Sequence, residues 1–162
     1  MKVFDWLNVF NVSRLVAVLL FVAIFLDPFF LTIFLENKFL IGVIIIALLV
    51  TSITFGYDLV KKKLSGVTDL VRKYFFLSLS VILLFGVLYF IVFNLDHAAF
   101  KATYPLDAYR DPFYFSAVTF YTVGYGDIHP FDTAKIIAVL QMILGSMINL
   151  VVLALAIRKL KY

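Results

Sequence analysis

Apolar residues are grouped along the chain in runs that are long enough to cross a lipid bilayer. A transmembrane helix needs about 20 consecutive, mostly apolar residues, and four runs reach that length. The pattern therefore predicts an all-α membrane protein with four transmembrane helices. The predicted spans are about Leu15–Leu35, Phe39–Val60, Tyr74–Asn94 and a last helix that starts at Asp132 or Thr133 and ends at Arg158–Lys161.

Charged residues separate these spans and divide the chain into three parts. Residues 1–60 hold an N-terminal segment and two spans, residues 61–73 form a basic linker, and residues 74–162 hold the rest. Met1–Asn11 has apolar positions on one helical face and polar positions on the other, which is typical of a helix lying at the membrane interface. A simple lead-in to the first span is the alternative.

One further apolar segment, Asp111–Tyr121, is too short to span a membrane. Asp111 followed by Pro112 is a typical helix start, with a side-chain cap and then proline at the first helical position. Residues 122–126, Thr-Val-Gly-Tyr-Gly, come next, and we call them the glycine loop. We therefore expect a short helix and a loop between the third and last spans.

The composition supports a membrane protein and excludes several other classes. Of the 162 residues, 64% are hydrophobic, and the mean hydropathy of +1.08 is well above the value of a typical soluble domain. Cysteine is absent, which removes disulfides and thiolate metal sites. The net charge of +4 does not indicate nucleic-acid binding, because the basic residues lie at segment ends and form no patch. We expect neither an enzyme nor a bound cofactor, since no nucleophile–base pair or metal cluster recurs.

The basic residues predict the orientation of the chain. With four spans most of them fall on the side that carries both termini, and the positive-inside rule makes that side the cytoplasm. Residues 96–132 then face outward, where an excess of aspartate would concentrate cations. We expect a multi-pass protein of the plasma membrane with cytoplasmic N and C termini. The basic residues on that side are Lys2, Arg14, those from Lys61 to Lys73, Arg158, Lys159 and Lys161.

The glycine loop and the aspartate directly after it resemble the selectivity filter of tetrameric potassium channels. The resemblance extends over about residues 74–159, as an outer helix, a pore helix, the filter and an inner helix. It implies a homotetramer in a lipid bilayer, in which four re-entrant pore loops surround a path for K⁺, the permeant ion. The implied filter residues are Thr122, Val123, Gly124, Tyr125 and Gly126, with K⁺ bound by the carbonyls of the first four and by the Thr122 hydroxyl.

The glycines also suit an ion path on physical grounds. A strand that lines such a path must direct successive carbonyls to one side, whereas an ordinary strand alternates them. Some residues must then adopt left-handed backbone angles, which glycine does without steric cost. Gly124 and Gly126 alternate with Val123 and Tyr125, so we expect left-handed angles at the two glycines. A glycine turn between two helices is the alternative.

The resemblance implies residues that support the filter. Tyr114, Phe115 and Thr119 would pack behind it, and Asp127 would hydrogen-bond toward Tyr114. Members of the family often carry glutamate where Val118 stands, paired with the filter aspartate. Val118 cannot form that pair, so this part of the support is not expected here.

Polar and small residues of the last span are candidates for the gate and the cavity. Gly145 lies nineteen positions after Gly126, close to where the family places a gating-hinge glycine, and a packing glycine is the alternative. Asn149 should face the central cavity or a neighbouring helix, because a polar side chain in lipid is costly. For Gln141 we expect a hydrogen bond between helices.

Two ionisable residues have more than one interpretation. Asp27, followed by Pro28, interrupts the first span. It is either a functional group at membrane depth or a structural partner of a backbone amide that the proline leaves free. His129 lies two residues after Asp127 and would make conduction sensitive to external pH if it were protonated. An exposed histidine without a role is the alternative.

Together these features predict a subunit that conducts K⁺ passively. No span carries a basic residue at every third position, so we expect no voltage sensor. No cytoplasmic ligand-binding domain is expected in the chain either, and the gating stimulus and a regulatory partner stay unidentified. The alternatives are a less selective monovalent cation channel, the membrane subunit of a K⁺ uptake transporter and an accessory membrane protein.

Overall fold

The computed structural model describes residues 36–61 and 66–160, and within them the fold is mostly helical. The chain divides into two units at Leu84 and Phe85, inside the second described helix. The elements in chain order are helices α1 (Lys38–Lys61) and α2 (Val67–Leu95), a 3₁₀ turn (His97–Ala99), strand β1 (Phe100–Ala102), helix α3 (Asp111–Phe120), strand β2 (Ile128–Pro130) and helix α4 (Asp132–Leu160).

Three helices within the described residues are long and apolar enough to cross a membrane. They are Lys38–Val60, Val67–Leu95 and Asp132–Lys159, which confirms the predicted second, third and last spans. The predicted first span Leu15–Leu35, the segment Met1–Asn11 and Asp27 lie outside the described residues. The count of four spans therefore stays a prediction.

Helix α2 begins seven residues before its predicted start at Tyr74. Asp69 lies in its first turn and pairs with Arg72 at 2.8 Å and with Lys73 at 3.0 Å. Ion pairs three and four residues apart stabilise a helix, and a carboxylate near the N-terminus complements the helix dipole. The two basic residues that were expected in a linker are therefore part of the helix.

In the first unit, small polar residues pack between α1 and the start of α2. The hydroxyl oxygens of Ser52 and Ser80 lie 3.0 Å apart, and the rings of Phe55 and Phe76 stack at 5.5 Å. Thr51 donates its hydroxyl to the Ala47 carbonyl at 2.7 Å. Because each hydroxyl has a partner, these polar groups are tolerated in an apolar helix pair.

In the second unit, a hydrophobic core surrounds the short helix α3. Tyr89 of α2, Phe115 of α3 and Ala138 of α4 all belong to this core. Gly86 permits close approach of α3, since a Cβ there would lie 2.8 Å from Cε1 of Phe113. The core thus fixes α3 between the two long helices of this unit.

A two-stranded antiparallel sheet, which the all-α prediction missed, joins the segments on either side of α3. Lys101 lies opposite His129, and Phe100 lies opposite Pro130. Beyond the strands, Thr103 N–H donates to the Asp127 carbonyl at 3.0 Å, and Phe131 N–H donates to the Ala99 carbonyl at 2.8 Å. Hydrogen-bonded pairs alternate along such a ladder, which puts Pro130 at a position where no N–H is needed.

Candidate functional site

The glycine loop begins as a continuation of the C-terminal end of α3. Tyr121 N–H donates to the Ala117 carbonyl at 3.2 Å, Thr122 N–H to the Thr119 carbonyl at 3.0 Å, and Val123 N–H to the Val118 carbonyl at 2.8 Å. The last carbonyls of a helix have no partner within the helix. Here the N–H groups at the start of the loop act as their hydrogen-bond donors. The position of α3 therefore determines where the loop starts.

The backbone of the loop alternates in handedness. Gly124 has φ +55° and Gly126 has φ +75°, which confirms the left-handed angles expected at both glycines. Thr122 also has a positive φ, +56°, an outlier for a β-branched residue. Positive φ angles thus fall at every second residue of the loop, which is the pattern that allows a strand to direct successive carbonyls to one side.

The loop is exposed in the single chain, together with much of α4. Tyr125 is 71% exposed and Val123 is 50% exposed. On α4, Ile136, Met147 and Leu150 are also exposed. Large apolar side chains that are exposed in this number mark a contact with lipid or with another protein chain.

The hydrogen bond expected between Tyr114 and Asp127 is present. The Tyr114 hydroxyl donates to Asp127 Oδ2 at 2.7 Å, and Ile128 N–H donates to Oδ1 at 3.0 Å. The hydrogen bond to Asp127, with some burial, raises the pKa of Tyr114 to about 12. The ring of Tyr114 stacks on that of Tyr125 at 6.4 Å, so Tyr114 contacts both the loop and the residue directly after it.

Phe115 and Thr119 are placed differently from Tyr114. The Phe115 ring packs against Tyr89 at 4.9 Å and Phe100 at 5.5 Å. Its contacts are thus with α2 and β1, and the described ring contacts do not bring it to the loop. Thr119 is buried, and its carbonyl accepts the Thr122 N–H.

Gly145 of α4 lies against the end of α3. It is buried, and a Cβ there would contact the Phe120 carbonyl oxygen and lie 3.2 Å from Cδ2 of the same residue. Helix α4 is continuous through this position. The contact supports the interpretation of Gly145 as a packing glycine, and its role as a hinge stays a prediction.

The other polar residues of α4 differ in their surroundings. Gln141 is fully buried and hydrogen-bonds to Tyr89 and Ser116, which confirms the expected bond between helices. Asn149 is half-buried, and its role in a cavity stays a prediction.

The start of α3 differs from the sequence prediction. Asp111 is the first helical residue and makes no side-chain cap, so Pro112 is at the second position. The Asp111 carboxylate instead accepts the Asp107 N–H at 2.7 Å, and Asp107 in turn accepts the Arg110 N–H at 3.1 Å. Burial raises the pKa of Asp111. These carboxylates therefore shape the segment that leads into α3.

His129 is exposed in β2, opposite Lys101. The expected response of conduction to external pH stays a prediction, because it depends on how close His129 lies to the outer end of the ion path.

A short helix and a glycine loop between two long apolar helices define the second unit, and the sequence of this region matches a known family. A family model described as "Ion channel" matches residues 76–162, more than half of the chain. The chain belongs to the ion channel family. Membership of this family supports a passive ion channel rather than an enzyme, and an oligomeric assembly in a bilayer. Comparison with curated proteins and with solved structures finds no significant match.

The match to the ion channel family places the glycine loop inside the channel domain. The matched region starts within α2 and continues through α3, the glycine loop and α4. Helix α1 precedes the matched residues.

Proposed function

We propose that this ion channel is selective for K⁺ and that the glycine loop is its selectivity filter. The observation that carries the proposal is the set of left-handed angles at Thr122, Gly124 and Gly126. A K⁺ ion that leaves water needs neutral oxygens in place of its hydration shell. Carbonyls directed to one side of the loop supply such oxygens when several copies surround an axis.

The proposed ligands are main-chain carbonyls and one hydroxyl. The carbonyls of Thr122, Val123, Gly124 and Tyr125, with the Thr122 hydroxyl, would form the ion sites, and Gly126 would keep the outer end of the loop in its left-handed conformation. No side-chain charge is required, because carbonyl dipoles replace water directly.

We further infer that the working unit is a homotetramer. Each chain has one glycine loop, and a closed ring of carbonyls needs four. The exposed Val123 and Tyr125 and the apolar surface of α4 support contacts with other copies. In this assembly Asn149 would line the cavity below the loop, and the plasma membrane, with both termini in the cytoplasm, is the proposed location.

Reconstitution of the purified protein in planar bilayers tests the proposal. Under a K⁺ gradient with Na⁺ present on both sides, we expect a reversal potential close to the K⁺ equilibrium value. A reversal potential near zero under opposed K⁺ and Na⁺ solutions would instead indicate the less selective cation channel. Absence of any current, with K⁺ uptake in vesicles, would favour the transporter subunit.

The mass of the detergent-solubilised protein tests the stoichiometry separately. After correction for bound detergent, we expect the mass of four chains of 18.5 kDa. A conducting dimer would contradict the tetramer, because two loops cannot close a ring.

A further inference from the structure

Three fully buried polar side chains meet between the helices of the second unit. Gln141 of α4, Tyr89 of α2 and Ser116 of α3 each have essentially no exposed surface. Gln141 Nε2 lies 3.0 Å from the Ser116 carbonyl oxygen and 2.7 Å from Ser116 Oγ. Tyr89 Oη lies 2.8 Å from Gln141 Oε1. We call these three residues the Gln141 node.

The chemistry of the partners fixes the orientation of the Gln141 amide. A backbone carbonyl can only accept a hydrogen bond, so the group that faces the Ser116 carbonyl must be the NH₂. Oε1 then faces Tyr89, whose hydroxyl donates. A flipped amide would bring two acceptor oxygens together at Ser116. Since no water competes inside a bilayer, a lost partner could not be replaced there.

Ser116 lies directly before the residues of α3 whose carbonyls are hydrogen-bonded to the start of the glycine loop. The carbonyls of the next three residues, Ala117, Val118 and Thr119, accept the N–H groups with which the loop begins. A shift of α3 at Ser116 is therefore transmitted to the start of the loop through at most one helical turn.

We propose that Gln141 is a positioning residue that holds α3, and through it the glycine loop, in the conducting arrangement. The inference rests on the proposed function, in which that loop is the selectivity filter. It goes further by assigning control of the loop to a side chain of α4 that does not contact the loop. Tyr89 orients the Gln141 amide by donating to Oε1, and Ser116 accepts hydrogen bonds from Nε2.

Two substitutions remove hydrogen bonds of the node while they retain most of its volume. Gln141→Leu leaves the Ser116 carbonyl and the Tyr89 hydroxyl without this partner, and we expect the K⁺/Na⁺ permeability ratio to fall about tenfold. Tyr89→Phe removes one hydroxyl but retains the ring contacts with Phe100 and Phe115, so we expect a smaller fall. The matched control is Tyr57→Phe at an exposed tyrosine of α1, which should leave the ratio unchanged.

Gln141→Glu separates positioning from simple packing, because the size of the side chain is conserved. A neutral carboxyl can donate to Ser116 and accept from Tyr89, whereas a carboxylate can only accept and would repel the Ser116 carbonyl. We therefore expect near wild-type permeability ratios in acidic solution and a progressive loss as the pH rises, in a range where the wild-type ratio stays constant.

The outcomes are distinct. Wild-type permeability ratios in Gln141→Leu, or a pH-independent ratio in Gln141→Glu, would overturn the inference. If Gln141→Leu does not assemble, the pH profile of Gln141→Glu and the ratio in Tyr89→Phe still decide it. If the wild-type channel does not select K⁺, the proposed function fails, and the difference between Gln141→Glu and the wild type in the pH dependence of conductance still tests the positioning role.

Discussion

The hydroxyl of Tyr114 donates a hydrogen bond to the carboxylate of Asp127 at 2.7 Å, which links the first turn of α3 to the residue directly after the glycine loop. The main chain of Asp127 is held as well, since its carbonyl accepts the Thr103 N–H. The start of the loop is bonded to the last carbonyls of α3. Both ends of the loop are thus anchored, while the loop itself is exposed in the single chain.

We expect Tyr114→Phe to lower the thermal stability of the assembled protein by about 1 kcal/mol, with an effect that is constant from pH 7 to pH 9. The pKa of Tyr114 is raised to about 12, above the ordinary tyrosine value of about 10. A raised pKa of this kind gives stability that is fully present below about pH 10 and is lost as the pH rises through about 12. Thermal unfolding in detergent at several pH values measures the difference.

Tyr57→Phe, at an exposed tyrosine, is the control for that experiment and should change the stability little. A difference between wild type and Tyr114→Phe that has already vanished at pH 9 would contradict the assignment of the phenol as the donor.

Gly126→Ala should abolish selective conduction while the protein still inserts into the membrane. No atom lies within 4 Å of the added Cβ in the single chain, so the penalty comes from φ +75°, at about 1 kcal/mol or more for each chain. Permeability ratios in planar bilayers measure the effect. Gly56→Ala is the matched control, because Gly56 also has open space and lies inside α1. Unchanged selectivity in Gly126→Ala would be incompatible with a filter at this loop.

Gly145→Ala distinguishes a packing glycine from a hinge. A Cβ there would contact the Phe120 carbonyl, and we expect a loss of about 1–3 kcal/mol in stability from overpacking, together with altered selectivity. A hinge residue would change the fraction of time that the channel is open and leave stability almost unchanged. Thermal unfolding and single-channel recording of the same variant decide between them. Gly42→Ala, where the Cβ has open space, serves as the control.

Thr103→Pro should disturb the end of the loop from the opposite side. It removes the N–H that binds the Asp127 carbonyl, and the loss of this partly exposed hydrogen bond costs about 0.5–1.5 kcal/mol. We expect reduced conductance in planar bilayers. Ala102→Pro is the comparison, because the alternation of the ladder leaves the Ala102 N–H outside the cross-strand bonds. Equal effects of the two prolines would show that the bond to Asp127 is unimportant.

The long spans could be predicted because composition alone requires them, whereas their ends depend on individual charges. The apolar run that ends at Asn94 predicts a helix without any tertiary information. The earlier start of α2 depends on the pairs of Asp69 with Arg72 and Lys73, which require the helix to exist already. Strands β1 and β2 were missed because three residues are too few to show a period of two.

Within the site, features that a residue type determines by itself could be predicted, and features that depend on the surroundings could not. The left-handed angles of Gly124 and Gly126 were expected because glycine adopts them freely. Gln141 was expected to bond between helices because an amide in lipid needs a partner. The positive φ of Thr122 was not expected, because a β-branched residue disfavours it and only the bonds around the loop impose it.

The left-handed backbone of Thr122 has a consequence for how far the protein can be stabilised. Thr122→Gly would relieve about 1 kcal/mol of backbone strain in each chain but would remove the side-chain oxygen proposed as an ion ligand. We expect this variant to unfold at a higher temperature and to select K⁺ less well. Stability and ion selectivity would then make opposite demands on one residue, and threonine at this position is the compromise.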